Sequence, residues 1–216
     1  MCVICVKKKG VKLPSYEDIR DMWEANPHGA GFMFVRNEKV YIRKGFMTLE
    51  DFNKALSKEN FTKDDVIVMH FRISTQAGVN PEMTHPFALT KNIEKTKILN
   101  VVCDIGVAHN GIIKMTSNGN KEYSDTAIFV TQYMTKLIRN FDDFYNPAVR
   151  EMIEELAKSK LAILTKDGDV AMIGDFKEVD GLYYSNLNHV WRTRWERAAR
   201  NGYIGYWNNL FGNAKA

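Results

Sequence analysis

The stretch KILNVVCDIGVAHNG, residues 97–111, decides the fold class. It contains two apolar segments with a break near Asp104, which predicts two consecutive strands. The stretch GFMFVRNEKVYIRKG at 31–45 alternates on both sides of Asn37–Glu38 and predicts a hairpin, and LAILTKDGDVAMIG at 161–174 predicts another. Strands that follow one another directly favour an α+β fold with largely antiparallel sheets over a doubly wound parallel sheet.

The predicted helices fall in groups between these strands. Ser15 and Thr48 each precede an aspartate by three residues, a variant of the capping box that starts a helix. The strongest helical pattern is SDTAIFVTQYMTKLIRN at 124–140, and a further helix is predicted over about 147–158. The apolar run VIVMHFR at 66–72 predicts a buried strand.

The composition is that of an ordinary globular protein. The chain has 216 residues, of which 45% are hydrophobic and 26% charged, and a net charge of +4. The basic residues are spread along most of the chain, so charge alone gives no reason to expect nucleic acid. No apolar stretch approaches the roughly 20 residues that cross a bilayer, and MCVICVKKKG at 1–10 does not have the order of a signal peptide. We therefore expect a cytoplasmic protein that does not contact a membrane.

The cysteines do not form a disulfide framework, because the chain has only Cys2, Cys5 and Cys103. The C-x-x-C pair at the N-terminus is of a kind that binds metal or performs redox chemistry. However, the histidines lack the spacing of a zinc site, and strand alternation would point Cys2 and Cys5 to opposite faces. We expect no metal site and no cofactor.

Four short segments carry candidate chemistry: MC at 1–2, HFRISTQAG at 70–78, AHNGI at 108–112 and YSDTA at 123–127. Each has an ordinary structural explanation when it is taken alone. A buried cysteine packs, an arginine at the end of a strand reaches solvent, Asn-Gly forms tight turns, and Ser-Asp-Thr caps a helix.

Taken together, and with THPF at 84–87, these segments resemble the class II glutamine amidotransferase domain, a branch of the N-terminal nucleophile hydrolases. The resemblance extends from Cys2 to about residue 190. It implies a four-layer αββα sandwich of two largely antiparallel sheets. It also implies an enzyme that hydrolyses the side-chain amide of glutamine through a cysteine thioester and releases glutamate and ammonia. Such domains supply ammonia to a synthase, so we expect glutamine as substrate and a separate ammonia-accepting partner protein.

The resemblance implies three catalytic residues. Cys2 would be the nucleophile, with its own α-amine as the base once Met1 is removed. A thiol and an α-amine have similar unperturbed pKa values, about 8.5 and about 7.7–8.0, so a terminal cysteine carries a base suited to its thiol. The Asn110 side chain and the Gly111 backbone N–H would form the oxyanion hole. One departure is Val3, where the family usually has glycine.

Four further residues are implied to bind the substrate. Arg72 would hold the α-carboxylate of glutamine with its planar guanidinium, and Asp125 would contact the α-ammonium. Thr75 and His85 match positions that line the pocket. Ile73 stands where the family usually has tryptophan or tyrosine.

Several alternatives stay open. The protein could be an amidase of the same nucleophile type that acts on a γ-glutamyl or other small amide, or a non-catalytic binding protein that retains the fold. His70 and His109 could act as catalytic acids, but we expect structural roles for them. We assign 1–190 to the amidotransferase domain. The aromatic and basic tail 191–216 either packs on this domain or docks a partner.

Overall fold

The computed structural model describes residues 1–74, 78–116 and 122–190. In chain order the strands are β1 (Val3–Lys7), β2 (Ala30–Arg36), β3 (Lys39–Phe46), β4 (Ile67–Phe71), β5 (Phe87–Ala88), β6 (Asn100–Cys103), β7 (Ile105–Asn110), β8 (Lys160–Thr165), β9 (Val170–Ile173), β10 (Lys177–Val179) and β11 (Leu182–Tyr184). The helices are α1 (Tyr16–Ala25), α2 (Leu49–Lys58), α3 (Asp125–Phe129), α4 (Thr135–Leu137) and α5 (Pro147–Ala157). Three short 3₁₀ turns lie at Pro81–Met83, Ile93–Lys97 and Phe141–Tyr145.

The strands of this described part form two antiparallel sheets. The larger sheet has seven strands in the order β10-β11-β1-β4-β2-β3-β6, and the smaller has four in the order β5-β7-β8-β9. The predicted break at Asp104 is where the chain leaves the larger sheet and enters the smaller one, because β6 pairs with β3 and β7 pairs with β5 and β8. The two strands of the 97–111 stretch are therefore not a hairpin.

Three apolar layers show how the elements stack. Helices α1 and α2 pack on the outer face of the larger sheet, where Met22 and Phe52 join the core. The inner faces of the two sheets meet through residues such as Ile4 and Ala108. Helices α3 to α5 cover the outer face of the smaller sheet, and Phe129 is among the residues buried there. The predicted four-layer αββα sandwich is confirmed.

The predicted local signals for turns and helix starts are confirmed. Asn37 and Glu38 have φ values of 49° and 54°, the left-handed conformation that a two-residue hairpin turn requires. Ser15 caps α1 in a full capping box, and Thr48 caps α2. Ser124 caps α3, and this cap fixes the start of the helix at Asp125.

The helix predicted over 124–140 runs unbroken from Asp125 to Leu137, but it is not α-helical throughout. A wider turn of π-helical type, Val130–Met134, separates α3 from α4. The Thr131 hydroxyl donates to the Ala127 carbonyl at 2.8 Å, and the Thr135 hydroxyl donates to the Thr131 carbonyl at 2.6 Å. Threonine hydroxyls that bond the preceding turn distort the helical ladder. The apolar spacing alone does not reveal this competition.

Among the described residues, no helix has the length and apolar composition needed to cross a bilayer. The tail 191–216 lies outside the described residues.

Candidate active site

Strand pairing brings the N-terminal end of β1 beside the C-terminal end of β4. Val3 pairs with Phe71 in the antiparallel ladder, so Cys2 lies next to the residues that follow β4. The Ile73 N–H donates to the Cys2 Sγ at 3.3 Å, and the Cys2 thiol lies 3.5 Å from the Ile73 carbonyl oxygen. The segments 1–2 and 70–78 of the sequence pattern therefore meet at Cys2.

The thiol of Cys2 is held mainly in its protonated form in this chain. Burial raises the pKa of Cys2, while the Ile73 N–H, the chain terminus and the Arg72 charge act in the opposite direction. The nitrogen of Cys2 is part of the peptide bond to Met1. An amide nitrogen accepts no proton near neutral pH, so the thiol has no adjacent amine base while Met1 is attached.

Arg72 and Asp125 place opposite charges near this thiol. Arg72 is buried, and its Nη1 donates to the Gly78 carbonyl at 2.9 Å. Burial lowers the pKa of Arg72, while Cys2 and Asp125 act to raise it. Arginine remains protonated in proteins under such shifts.

Asp125 is fixed by the backbone at the start of α3. Its Oδ2 accepts the Ile113 N–H at 2.7 Å, and its Oδ1 accepts the Thr126 N–H at 2.8 Å. Oδ1 also accepts a longer bond from the Thr126 hydroxyl at 3.3 Å, so Oδ2 is the oxygen with a lone pair left for an ammonium group. The carboxylate is thus oriented before any ligand binds.

A small cavity joins most of the predicted site residues. Its volume is about 30 Å³, and it is lined by Cys2, Arg72, Ile73, His85, His109, Gly111, Ser124, Asp125 and Thr126. Five of these were predicted from the sequence: Cys2, Arg72, His85, Gly111 and Asp125. The space holds about one water molecule, so a larger ligand requires its walls to move.

Larger cavities lie elsewhere, but they contain none of the predicted site residues. A cavity of about 660 Å³ is lined by residues that include Asp18 and Tyr184, and one of about 530 Å³ by residues that include Lys39 and Cys103. The convergence of reactive groups, rather than volume, identifies the candidate site. Thr75 lies outside the described residues.

Gly111 has a conformation and surroundings that a side chain would not tolerate. Its φ is +146°, and a Cβ built on it would lie 2.8 Å from the Cβ of Ser159. Its backbone therefore approaches the wall formed by Ser159 closely. The role suggested for Gly111, a backbone donor at close range, is compatible with this geometry.

Asn110 lies beside the cavity but is not one of its lining residues. It is buried at the end of β7, and its Nδ2 donates to the Ser185 Oγ at 2.8 Å. Its Oδ1 is buried with no hydrogen-bond partner among the described residues. The structure thus brings Asn110 to the site without directing its amide donor to the thiol.

Three buried histidines cluster at the cavity: His85 and His109 line it, and His70 contacts both of them. The His70 Nε2–H donates to the His109 carbonyl at 2.9 Å, and the His70 and His85 rings are 4.3 Å apart. Burial lowers the pKa of His70 to about 3 and that of His109 to about 4, and it lowers the pKa of His85 well below its usual range. All three are neutral near pH 7. A general acid needs a proton to give at that pH, which agrees with the structural roles expected for His70 and His109.

Two residues that hold the N-terminal strand at the site, Ser185 and Asn186, were not predicted from the sequence. The Asn186 Nδ2 donates to the Cys2 carbonyl at 2.6 Å, and the Ser185 Oγ accepts the Ile4 N–H at 2.9 Å. These bonds join residues 184 and 181 positions apart. Only the pairing of β11 with β1 reveals them.

The two other cysteines differ from Cys2. Cys5 lies in the outer core layer with Val3, whereas Ile4 faces the second sheet, as strand alternation predicted. Burial raises the pKa of both Cys5 and Cys103 to about 12. Neither thiol forms a thiolate near neutral pH. Within the described ranges, no group of histidine, cysteine and acidic side chains has the arrangement of a metal site.

Comparisons with known proteins support the fold. No family model matches the sequence, and no curated protein matches it. Among solved structures, 27 chains match. One is a glutamine phosphoribosylpyrophosphate (PRPP) amidotransferase from B. subtilis complexed with ADP and GMP, with 17% sequence identity and a TM-score of 0.51. The match covers 88% of this chain and 42% of that chain, so this chain spans less than half of its neighbour's length. At this identity the likeness shows a shared fold, as the motifs had implied.

Proposed function

We propose that the protein is a class II glutamine amidotransferase domain that hydrolyses the side-chain amide of glutamine. The observation that carries the proposal is the meeting of Cys2, Arg72, His85, Gly111 and Asp125 at one cavity. These residues come from five separate segments of the sequence pattern. The shared fold with a solved amidotransferase supports the same assignment.

In the proposed reaction, the chain begins at Cys2 after removal of Met1. The freed α-amine takes the thiol proton as Sγ attacks the amide carbon of glutamine. The carbon–nitrogen bond then breaks, the amine returns the proton to the leaving nitrogen, and ammonia departs from a thioester on Cys2. Water activated by the same amine cleaves the thioester and releases glutamate, which regenerates the thiol.

The remaining residues bind and stabilise. The Gly111 N–H and the Asn110 amide would donate to the oxyanion formed in each step. Arg72 would pair with the α-carboxylate and Asp125 with the α-ammonium. His85 and Thr75 would line the pocket. Because the cavity now holds about one water, glutamine binding requires it to widen.

The ammonia would be used by a separate partner protein in the cytoplasm. The structural neighbour has more than half of its chain beyond the matched part. In the proposal, the acceptor of the ammonia is a separate protein. The tail 191–216 is a candidate docking segment because it combines aromatic and basic residues.

One observation favours a second candidate, an amidase acting on a γ-glutamyl or other small amide. The Arg72 Nη1 already donates to the Gly78 carbonyl, which competes with its use as a carboxylate clamp. Such an enzyme would cleave amides that lack the α-carboxylate as readily as glutamine.

The test uses two preparations, one beginning at Cys2 and one retaining Met1, both verified by intact mass. We expect the first to release ammonia from glutamine and the second to be inactive. Cys2→Ala should abolish turnover in the first preparation, whereas Cys103→Ala, a half-buried cysteine outside the cavity, should leave it unchanged. Full turnover by chains that retain Met1 would rule out the terminal-amine mechanism.

A further inference from the structure

Ser185 joins the nucleophile's strand to the end of β7. The residue is fully buried directly after β11. Its Oγ accepts the Ile4 N–H at 2.9 Å and the Asn110 Nδ2–H at 2.8 Å. Its own N–H donates to the Ile4 carbonyl at 3.0 Å, and its carbonyl accepts from the Lys160 Nζ at 2.6 Å. Backbone bonds therefore fix the position of this hydroxyl.

The hydrogen bonds at this point are incomplete in one respect. The Asn110 Oδ1 is buried and has no partner among the described residues. A hydroxyl can donate one bond as well as accept two. A half-turn of the Asn110 amide would exchange Oδ1 and Nδ2 in nearly the same positions. The Ser185 hydroxyl would then donate to Oδ1 and still accept the Ile4 N–H, and Nδ2 would be released.

We propose that Ser185 is a positioning residue that holds the Asn110 amide in this turned orientation during catalysis. The inference rests on the proposed function, in which the Asn110 amide is an oxyanion donor. In the present orientation the Asn110 Nδ2 is bonded to Ser185, and the turned orientation would free it for that role. Asn110 lies between His109 and Gly111, which both line the cavity. The next residue, Asn186, binds the Cys2 carbonyl at 2.6 Å, so two adjacent side chains hold the nucleophile and the amide donor.

The test compares Ser185→Ala with Ser185→Thr, which keeps a hydroxyl, in the chain that begins at Cys2. We expect Ser185→Ala to lower kcat for glutamine about tenfold or more, since losing one oxyanion donor typically costs about 10²–10³-fold. KM should stay within about twofold, because the donor acts mainly on charge that develops in the transition state. Ser185→Thr should recover much of the loss. Thr165→Val, which removes a fully buried hydroxyl at the far end of β8, is the matched control and should keep wild-type kcat.

A double-mutant cycle shows whether Ser185 acts through Asn110. If it does, Asn110→Ala combined with Ser185→Ala turns over no more slowly than Asn110→Ala alone. Additive losses, or wild-type kcat in Ser185→Ala, would overturn the inference and leave the proposed function standing.

A measurement that needs no turnover tests the Ser185–Asn110 contact separately from the proposed glutaminase function. The Asn110 side-chain amide resonances in a ¹⁵N-labelled sample should shift in Ser185→Ala and stay in place in Thr165→Val. Unshifted resonances in Ser185→Ala would contradict the contact itself. A wild-type chain that begins at Cys2 and releases no ammonia would instead remove the proposed function.

Discussion

Gly111→Ala tests whether the close backbone approach at this residue matters for catalysis. The new Cβ would lie 2.8 Å from the Ser159 Cβ, whereas ordinary contacts begin at 3.4 Å, so the two must separate by about 0.6 Å. The φ of +146° adds backbone strain of about 1–3 kcal/mol, and overpacking adds about 1–3 kcal/mol. We therefore expect the free energy of unfolding to fall by about 2–6 kcal/mol.

The same displacement acts on the reaction. A misplacement of about 1 Å can cost about 10²-fold in rate, and losing an oxyanion donor costs about 10²–10³-fold. We expect kcat for glutamine to fall by about 10²-fold in Gly111→Ala, with a smaller change in KM. Steady-state ammonia release and urea unfolding measure the two effects.

Gly168 is a control that separates the effect of backbone strain from that of displacing the Gly111 backbone. Gly168 also has a positive φ, +87°, but a Cβ there would meet nothing within 4 Å. Gly168→Ala should therefore lose stability through strain alone and keep wild-type kcat. The reasoning fails if Gly111→Ala keeps a kcat within threefold of wild type, or if Gly168→Ala loses as much activity.

Two further predictions concern charge. Arg72→Lys and Asp125→Asn should each raise KM for glutamine at least tenfold, because lysine lacks the guanidinium fork and asparagine lacks the charge opposite an ammonium; equal wild-type rates with an amide lacking the α-carboxylate would contradict this. The free energy of unfolding should fall as the pH drops from about 6.5 towards 4. Burial lowers the pKa of His109 and His189 to about 4 and that of His70 to about 3, so over this pH range these rings take up protons only when the chain unfolds. Each histidine contributes up to about 1.4 kcal/mol per pH unit in urea melts, and a flat profile over this range would count against neutral buried rings.

The local elements were predictable because their signals are local. Helix caps at Ser15 and Thr48 and the turn at Asn37–Glu38 depend on residues within four positions of one another. The α+β fold class was predictable because several strands follow one another directly along the chain. The π-helical turn at Val130–Met134 was missed, since threonine hydroxyls compete with the helix backbone without altering the apolar period.

The site was predictable only in part. The sequence motifs named five residues that the fold gathers at one cavity, but they did not indicate that Asn110 pairs with Ser185. They also gave no sign that Asn186 binds the Cys2 carbonyl. Such contacts depend on which strands are neighbours in the sheet, and periodicity along the chain does not encode that order.

The candidate site draws its residues from both sheets. Cys2 and Arg72 flank strands of the larger sheet, while Asn110 ends a strand of the smaller one and Gly111 follows it. A Cβ on Gly106, within the smaller sheet, would lie 2.5 Å from the Met33 Sδ of the larger sheet, so the two sheets approach closely there. Val40 and Ile42 follow at 3.2 and 3.4 Å, so a bulkier residue at 106 would press the sheets apart and offset the proposed nucleophile from the proposed oxyanion donors. Such a chain would keep a native far-ultraviolet circular dichroism spectrum and lose the proposed glutaminase activity. A native spectrum would therefore not show that the candidate site is correctly assembled.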